Sequence, residues 1–354
     1  MHTIITGSGS FIPANIIKNN SFENCLFYDE KGSLIQRQQA EIISKFQQIT
    51  GIEERRYADA GTSSSCMAAE AGAKAIADAG INAETIDQLI VAHNFGEIGN
   101  DDMRSEMVPS IASRVKHKLG IKNPSCVAYD ILFGCPGWLQ ALIQADAFTK
   151  SGLAKTCLVI GTETLSRVID PHDRDSMIYS DGAGAVITEA CNDNDRGIIG
   201  VKAVSFTGDE ADYICMGRSN NAGIDESKHF LKMKGRKVYE FALKEVPAAI
   251  KSCLDECNIA IKEVKKIFIH QANEKMDEAI VERLFGLYGI KQPPKHIMPM
   301  NIKWLGNSSV ATIPTLFDMV VKGAFKDHSI NKNDIIVFAS VGAGMNINAV
   351  CYRI

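Results

Sequence analysis

The chain has 354 residues, 45% of them hydrophobic and 23% charged, and a net charge of −4. It is long enough to bury a large core as two domains or one duplicated domain, and its mild acidity gives no reason to invoke nucleic acid. No apolar stretch is long enough to cross a membrane, and Met1-His2-Thr3-Ile4-Ile5 lacks the charged and apolar regions of a signal peptide, so a cytoplasmic protein is expected. The ten cysteines are scattered with no C-x-x-C pair, which suits a reducing compartment; Cys253 and Cys257, one helical turn apart, lack the paired loop ligands of a zinc site. No metal is expected.

In chain order, Ser63 to Gly80 reads as an Ala-rich helix, and Leu89-Ile90-Val91-Ala92 as a buried strand ending at His93. Asp101 to Glu106, beside Gly96, Gly99 and Asn100, reads as a polar loop entering a helix over Met107 to Leu119. A strand over Ser125 to Asp130 then leads to Leu132-Phe133-Gly134-Cys135-Pro136-Gly137-Trp138. Pro136 suits a first helical position, and Trp138, Leu139, Leu142, Ile143 and Ala147 continue at helical spacing. Leu158-Val159-Ile160 is strand-like, and the polar cluster Asn192 to Asp195 divides the chain into halves at 1–192 and 193–354. Beyond it, Asp209 to Ser227 has no period and reads as an irregular loop, while Glu240 to Cys257 is helical. Lys266 to Ile269 is a strand ending at His270, and Trp304 to Ser309 opens a helix carrying Thr315, Leu316, Met319 and Val320.

Three residues at element ends carry possible chemistry. Cys135, at a helix mouth, meets unpaired N–H groups and the positive end of the helix dipole, which lower a thiol's pKa and favour the nucleophilic thiolate. His270 stands at a strand's carboxyl end, where open α/β sheets place their sites. Asn307 is at or near a helix N-cap. Singly, each has a plain alternative: a buried inert thiol, a core histidine, a cap. Together they form a Cys, His, Asn set.

The organisation repeats. His93 and His270 lie 177 residues apart (270 − 93), Cys135 and Asn307 lie 172 apart (307 − 135), and the strands at Leu158 and Ile335 lie 177 apart (335 − 158). Each offset is close to half the chain, as in a duplicated α/β unit. The runs Gly182-Ala183-Gly184 and Gly342-Ala343-Gly344 do not fit G-x-G-x-x-G between a strand and a helix, so no dinucleotide cofactor is expected.

Ordered along nearly the whole chain are Thr50-Gly51-Ile52-Glu53-Glu54-Arg55-Arg56, the Cys135 elbow, Asp170-Pro171-His172-Asp173-Arg174, Ser180-Asp181-Gly182-Ala183-Gly184-Ala185, His270-Gln271-Ala272-Asn273 and Gly306-Asn307-Ser308-Ser309. In this the sequence resembles the condensing enzymes of the thiolase superfamily, above all the β-ketoacyl-acyl-carrier-protein synthase III group. The resemblance implies a thiolase-like duplicated five-layered α/β/α/β/α sandwich, a homodimer, and decarboxylative Claisen condensation without a cofactor. Cys135 would take an acyl group from an acyl thioester. His270 and Asn307 would hydrogen-bond the carbonyl of a malonyl thioester on an acyl-carrier protein, and the N–H groups of Cys135 and Gly344 would form an oxyanion hole. A ketosynthase that builds resorcinol or cyclohexanedione rings, and an acyltransferase that does not decarboxylate, would use the same cysteine.

Lys45 and Ile49 stand where coenzyme-A-using members commonly carry a tryptophan and an arginine, whereas Arg174 matches their second adenine-flanking arginine. The acyl donor is therefore expected on either coenzyme A or carrier protein. Lys228, Lys232, Lys234, Arg236 and Lys237 form a basic cluster, and Lys275 occupies the place of a carrier-binding arginine; either set could steer an acidic carrier protein, although such a run is equally a solvated helix face. Val108 aligns with a phenylalanine that short-chain members contribute across the dimer to the partner's acyl pocket, which leads to the expectation of a medium, long or branched donor.

Overall fold

A computed structural model describes residues 1–99, 104–193 and 195–354. One sheet orders its strands His2–Phe11, Asp181–Cys191, Thr156–Thr164, Gln88–Ala92 and Val127–Ile131; another orders Gly197–Ser205, Asn346–Arg353, Ile335–Gly342 and Val264–Ile269. The two match strand for strand. Gln88–Ala92 runs parallel to Thr156–Thr164, as Val264–Ile269 does to Ile335–Gly342, and in each sheet the next two pairings are antiparallel. The fifth strand of the first sheet has a counterpart in the backbone near Ile297, whose carbonyl accepts from the Ile267 N–H at 2.9 Å. Thr156–Thr164 and Ile335–Gly342 are buried along their whole length, as strands covered on both faces must be.

Helices Gly137–Ser151 and Thr312–Val321 lie between the sheets. Their Trp138, Leu142, Ile313, Leu316 and Phe317 join Val159 and Val186 of one sheet to Phe268 and Phe338 of the other. Ser64–Ala79 and Ile111–Lys118 cover the outer face of the first sheet through Met67, Ala71 and Val115. Gly235–Glu256 and Glu274–Gly286 cover the second through Val246, Ile250 and Leu284. The result is the expected five-layered α/β/α/β/α sandwich. A further cluster packs helix Gln39–Thr50 over Phe27, Ile52 and Met177. There the buried Arg55 donates to the carbonyls of Met177 and Ile17 and to Asn19 Oδ1, so this part of the Thr50–Arg56 motif anchors structure.

Local differences from the sequence reading have physical causes. The helix expected over Met107 to Leu119 begins only at Ile111, because Pro109 holds the preceding residue out of helical conformation; the Ser110 hydroxyl caps it by accepting from Ser113 N–H. Of the expected loop Asp101 to Glu106, residues 101–103 lie outside the described residues, and Ser105–Glu106 pairs with Glu97–Ile98. Asp209 to Ser227 is not wholly irregular: Ala211–Tyr213 forms a 3-10 turn, and Ile214–Gly217 pairs with Phe230–Met233, a strand too short to display a period. The helix expected from Glu240 starts at Gly235 and runs through Pro247 to Glu256. Pro136 takes the cap position rather than the first helical one.

Candidate active site

The strand Val127–Ile131 delivers the chain to Gly134, whose φ of +66° turns it sharply into Cys135. A Cβ on Gly134 would lie 2.7 Å from Ala343 N and O, and one on Gly342 would lie 2.4 Å from Cys135 N. The loop leaving Ile335–Gly342 therefore rests directly against the cysteine elbow, which brings Gly344 of the second sheet to the same junction. Gly344 itself has φ +73°.

The structure overturns one expectation about the thiol. Burial pushes Cys135 up to about 11, against the lowering effects of a Ser309 hydrogen bond and its own backbone N–H, and the nearby Glu163 carboxylate raises it further. The helix mouth is present, but desolvation of the thiolate wins, so the resting group is the neutral thiol.

Ser309 unites the set recognised in the sequence. Its hydroxyl donates to Cys135 Sγ at 3.3 Å, and its N–H donates to Asn307 Oδ1 at 2.7 Å. The Ser309 carbonyl accepts from Thr312 Oγ1 at 2.9 Å, and Thr312 Oγ1 is 2.8 Å from His270 Nδ1. The left-handed backbone of Ser309, φ +51°, is what lets one residue face three ways. Asn307 does act at a helix entrance, but by holding the N–H of a 3-10 turn, Ser309–Ala311, ahead of the helix that starts at Thr312. Its own backbone is bound into the SDGAGA motif: Asn307 N–H donates to Ile178 O, and Ser180 N–H donates to Asn307 O.

Hydrogen-bond bookkeeping orients both polar partners. With Oδ1 engaged, the Asn307 amide group is left to donate through Nδ2. Because the Thr312 hydroxyl proton goes to Ser309 O, its oxygen accepts from His270 Nδ1–H, and Nε2 of the neutral ring carries the lone pair. Burial holds His270 down to about 4, so the ring is neutral at physiological pH.

Two further groups stand behind Ser309. Asn94 Nδ2 is 3.1 Å from Ser309 Oγ and 2.5 Å from Glu163 Oε1, and burial lifts Glu163 to about 8. Sequence reasoning missed Asn94, Glu163 and Thr312. The available signals were a carboxylate inside an otherwise dry strand and a polar residue following His93 at a strand end. His93 donates from Nε2 to Asp130, which in turn accepts from the N–H groups of Ile111 and Ala112, so it anchors the segment leading to Val108.

The remaining candidates disperse. Val108 is 88% exposed and does not line the Cys135 site of its own chain. Arg174 is exposed beside Asp175, with 3.7 Å between Nε and Oδ1. Lys45 and Ile49 lie exposed on helix Gln39–Thr50. Lys275 is exposed in the first turn of Glu274–Gly286, five residues beyond His270. Lys232 departs from its expected docking role: Nζ sits 2.6 Å from the buried Asp170, 2.9 Å from Asp173 and 2.8 Å from Asn220 Oδ1, tying two loops to the strand that carries it. Lys228, Lys234, Arg236 and Lys237 stay exposed; Arg236 pairs with Glu240, and Lys234 and Lys237 approach the Tyr213 ring.

Among the described residues no cluster of ligands could hold a metal, and no helix is long and apolar enough to cross a membrane. Residues 129–206 match the family model for 3-oxoacyl-[acyl-carrier-protein (ACP)] synthase III, and residues 254–354 match its C-terminal model. The chain is 33% identical over 359 residues to the β-ketoacyl-[acyl-carrier-protein] synthase III of Staphylococcus aureus strain Newman, covering 100% of this chain and 99% of that protein. It is 30% identical over 350 residues to the enzyme of that name from Erythrobacter litoralis, covering 99% and 98%. The crystal structure of 3-oxoacyl-[acyl-carrier-protein] synthase III from Aquifex aeolicus superposes with a TM-score of 0.81 at 28% identity, covering 99% of this chain and 100% of that one. With a cysteine, a histidine and an asparagine gathered where its two sheets meet, the chain belongs to the 3-oxoacyl-[acyl-carrier-protein] synthase III family and is a thiolase-fold acyltransferase.

Proposed function

We propose that Cys135, His270 and Asn307 carry out acyl transfer followed by decarboxylative condensation with a malonyl thioester on acyl-carrier protein, in fatty-acid or specialised lipid biosynthesis. The observation that carries this reading is their common attachment to Ser309. Cys135 Sγ attacks the acyl thioester, the bond to the pantetheine sulfur breaks, and the departing sulfur takes the thiol proton. A raised thiol beside a lowered imidazole stays neutral at rest, so proton loss accompanies attack. The N–H groups of Cys135 and Gly344 stabilise the oxyanion. On malonyl entry, Asn307 Nδ2 donates to the thioester carbonyl. For His270 to give the second donor, Nε2 takes a proton from water and Nδ1 releases its own to water, and the Thr312 hydroxyl turns from Ser309 O to donate to the bare Nδ1. Carbon dioxide leaves, the freed electron pair forms the enolate, and its carbon attacks acyl-Cys135, releasing the Cys135 sulfur.

The protein acts in this reading as a cytoplasmic homodimer, with Val108 reaching the partner's acyl pocket and Lys275, with the exposed Lys234, Arg236 and Lys237, meeting the carrier. Arg174 contacts the donor, carried by coenzyme A or carrier protein. The halves 1–192 and 193–354 supply the nucleophile and its two donors respectively. Intact-protein mass spectrometry with a panel of acyl-CoA and acyl-carrier thioesters, followed by labelled malonyl-carrier protein, tests it. Cys135 acylates, Cys135→Ala does not, and labelled carbon dioxide is released; acyl transfer without that release would favour the non-decarboxylating alternative.

A further inference from the structure

Glu163 is a buried acid that the reaction above leaves unused. It lies one residue from the end of the dry strand Thr156–Thr164, 1% exposed, where a carboxyl group is costly unless it is hydrogen-bonded. Its Oε1 accepts from Asn94 Nδ2 at 2.5 Å, and the same nitrogen reaches Ser309 Oγ at 3.1 Å. An amide nitrogen has two protons and no acceptor capacity, so the Ser309 oxygen must accept and its own proton must point elsewhere. Cys135 Sγ, 3.3 Å away, receives it. Above about pH 8, where Glu163 is ionised, reversing the Asn94 amide would turn Oδ1 onto a carboxylate oxygen, acceptor against acceptor, and this range includes the pH at which the thiol titrates.

We propose that Asn94 and Glu163 are positioning residues that fix the direction of a hydrogen-bond chain and thereby aim the Ser309 hydroxyl at the nucleophile. Glu163 sets Asn94, Asn94 sets Ser309, and Ser309 donates to sulfur. The proposal rests on Cys135 as the nucleophile. Its effect is to favour the thiolate in a site where burial opposes it. Among the described residues, Asp181 acts on Glu163, Glu163 acts on the thiol, and the thiol in turn raises Tyr179.

The test is the pH dependence of iodoacetamide alkylation at Cys135, read by peptide mass spectrometry, which needs no turnover. Ser309→Ala removes the donor and raises the thiol pKa by roughly one unit, a tenfold loss of thiolate at fixed pH. Asn94→Asp turns the donor at position 94 into an acceptor that captures the Ser309 proton, and raises it at least as far. Glu163→Leu and Glu163→Gln both remove the charge that raises the thiol, but only Leu also removes the acceptor that orients Asn94, so the thiol pKa is higher in Glu163→Leu than in Glu163→Gln. A wild-type profile in Asn94→Asp, or identical shifts in Glu163→Leu and Glu163→Gln, overturns the proposal; if Asn94→Asp does not fold, the two Glu163 variants still decide. An alkylated Cys135 that no thioester acylates would instead overturn the functional reading and leave the positioning role standing.

Discussion

At the residue scale the two half-reactions divide between different side chains. In the proposed reaction Cys135 takes the acyl group, while His270 and Asn307 would meet the malonyl carbonyl through atoms left over from Thr312 and Ser309. His270→Ala and Asn307→Ala are therefore expected to acylate normally yet lose decarboxylation by roughly two to three orders of magnitude, as loss of oxyanion donors does. Stopped reactions that follow labelled carbon dioxide and intact mass together check this, and wild-type release in both variants rules the assignment out. The three residues were legible because each ends an element, where polar side chains at strand ends and helix mouths stand out from an apolar pattern. Ser309 was visible only as one letter of a motif: its role depends on its backbone N–H, its carbonyl and a positive φ, none of which a residue type announces. The acidity of Cys135 was misread for a related reason. A helix dipole can be inferred from local order, but Ser309 and Gly342, which pack against Cys135 and help to bury it, lie far along the chain.

At the element scale, the segment from Met107 to Ser110 and the Asp170–Lys232 knot yield different tests. Val108 projects from its own chain, and in the proposed dimer a valine in place of a phenylalanine would let the partner's pocket bury further methylenes at about 0.8 kcal/mol each. Val108→Phe should shift preference toward short donors across a C2 to C16 thioester panel; a wild type that prefers acetyl and a silent variant would end the idea. Lys232 neutralises Asp170, which is 0% exposed and also accepts from Ser219, Asn220 and His172. Removing one partner of such a buried pair costs about 3–5 kcal/mol, and the three remaining donors put Lys232→Ala near the low end. Urea denaturation should show that loss, while Lys237→Ala leaves the midpoint nearly unchanged. Elements followed the same logic of legibility: Ser63 to Gly80 was clear from its cap, alanines and closing glycine, and the helix lies at Ser64–Ala79. The pairing of Ile214–Gly217 with Phe230–Met233 was not clear, since each strand has four residues and its partner lies beyond a loop.

At the scale of the whole molecule, buried titratable groups make stability depend on pH. Glu163 is raised from 4.5 to about 8, chiefly by burial, so its contribution is complete below pH 4.5 and is lost as the pH rises through about 8. His270 and His328 are lowered by burial from 6.5 to about 4, so theirs is present above pH 6.5 and lost as the pH falls through about 4. Relative to Glu163→Gln, the wild-type urea midpoint should therefore decline between pH 5 and 9; parallel profiles would show that the carboxyl keeps its ordinary acidity.

The contact of Gly134 with Ala343, and of Gly342 with Cys135, makes the chemistry a property of the seam rather than of either half. The thiol arrives from the first sheet, while Ser309, His270 and Asn307 arrive with the second. Any fluctuation that parts the layers breaks the Ser309 contact and wets the sulfur at the same instant. Burial then no longer restrains the thiol, and it becomes more acidic just as it loses its partners. Because Cys135 is already partly exposed in the closed site, such openings would add to its labelling by a thiol reagent rather than begin it, and the added rate would report partial unfolding.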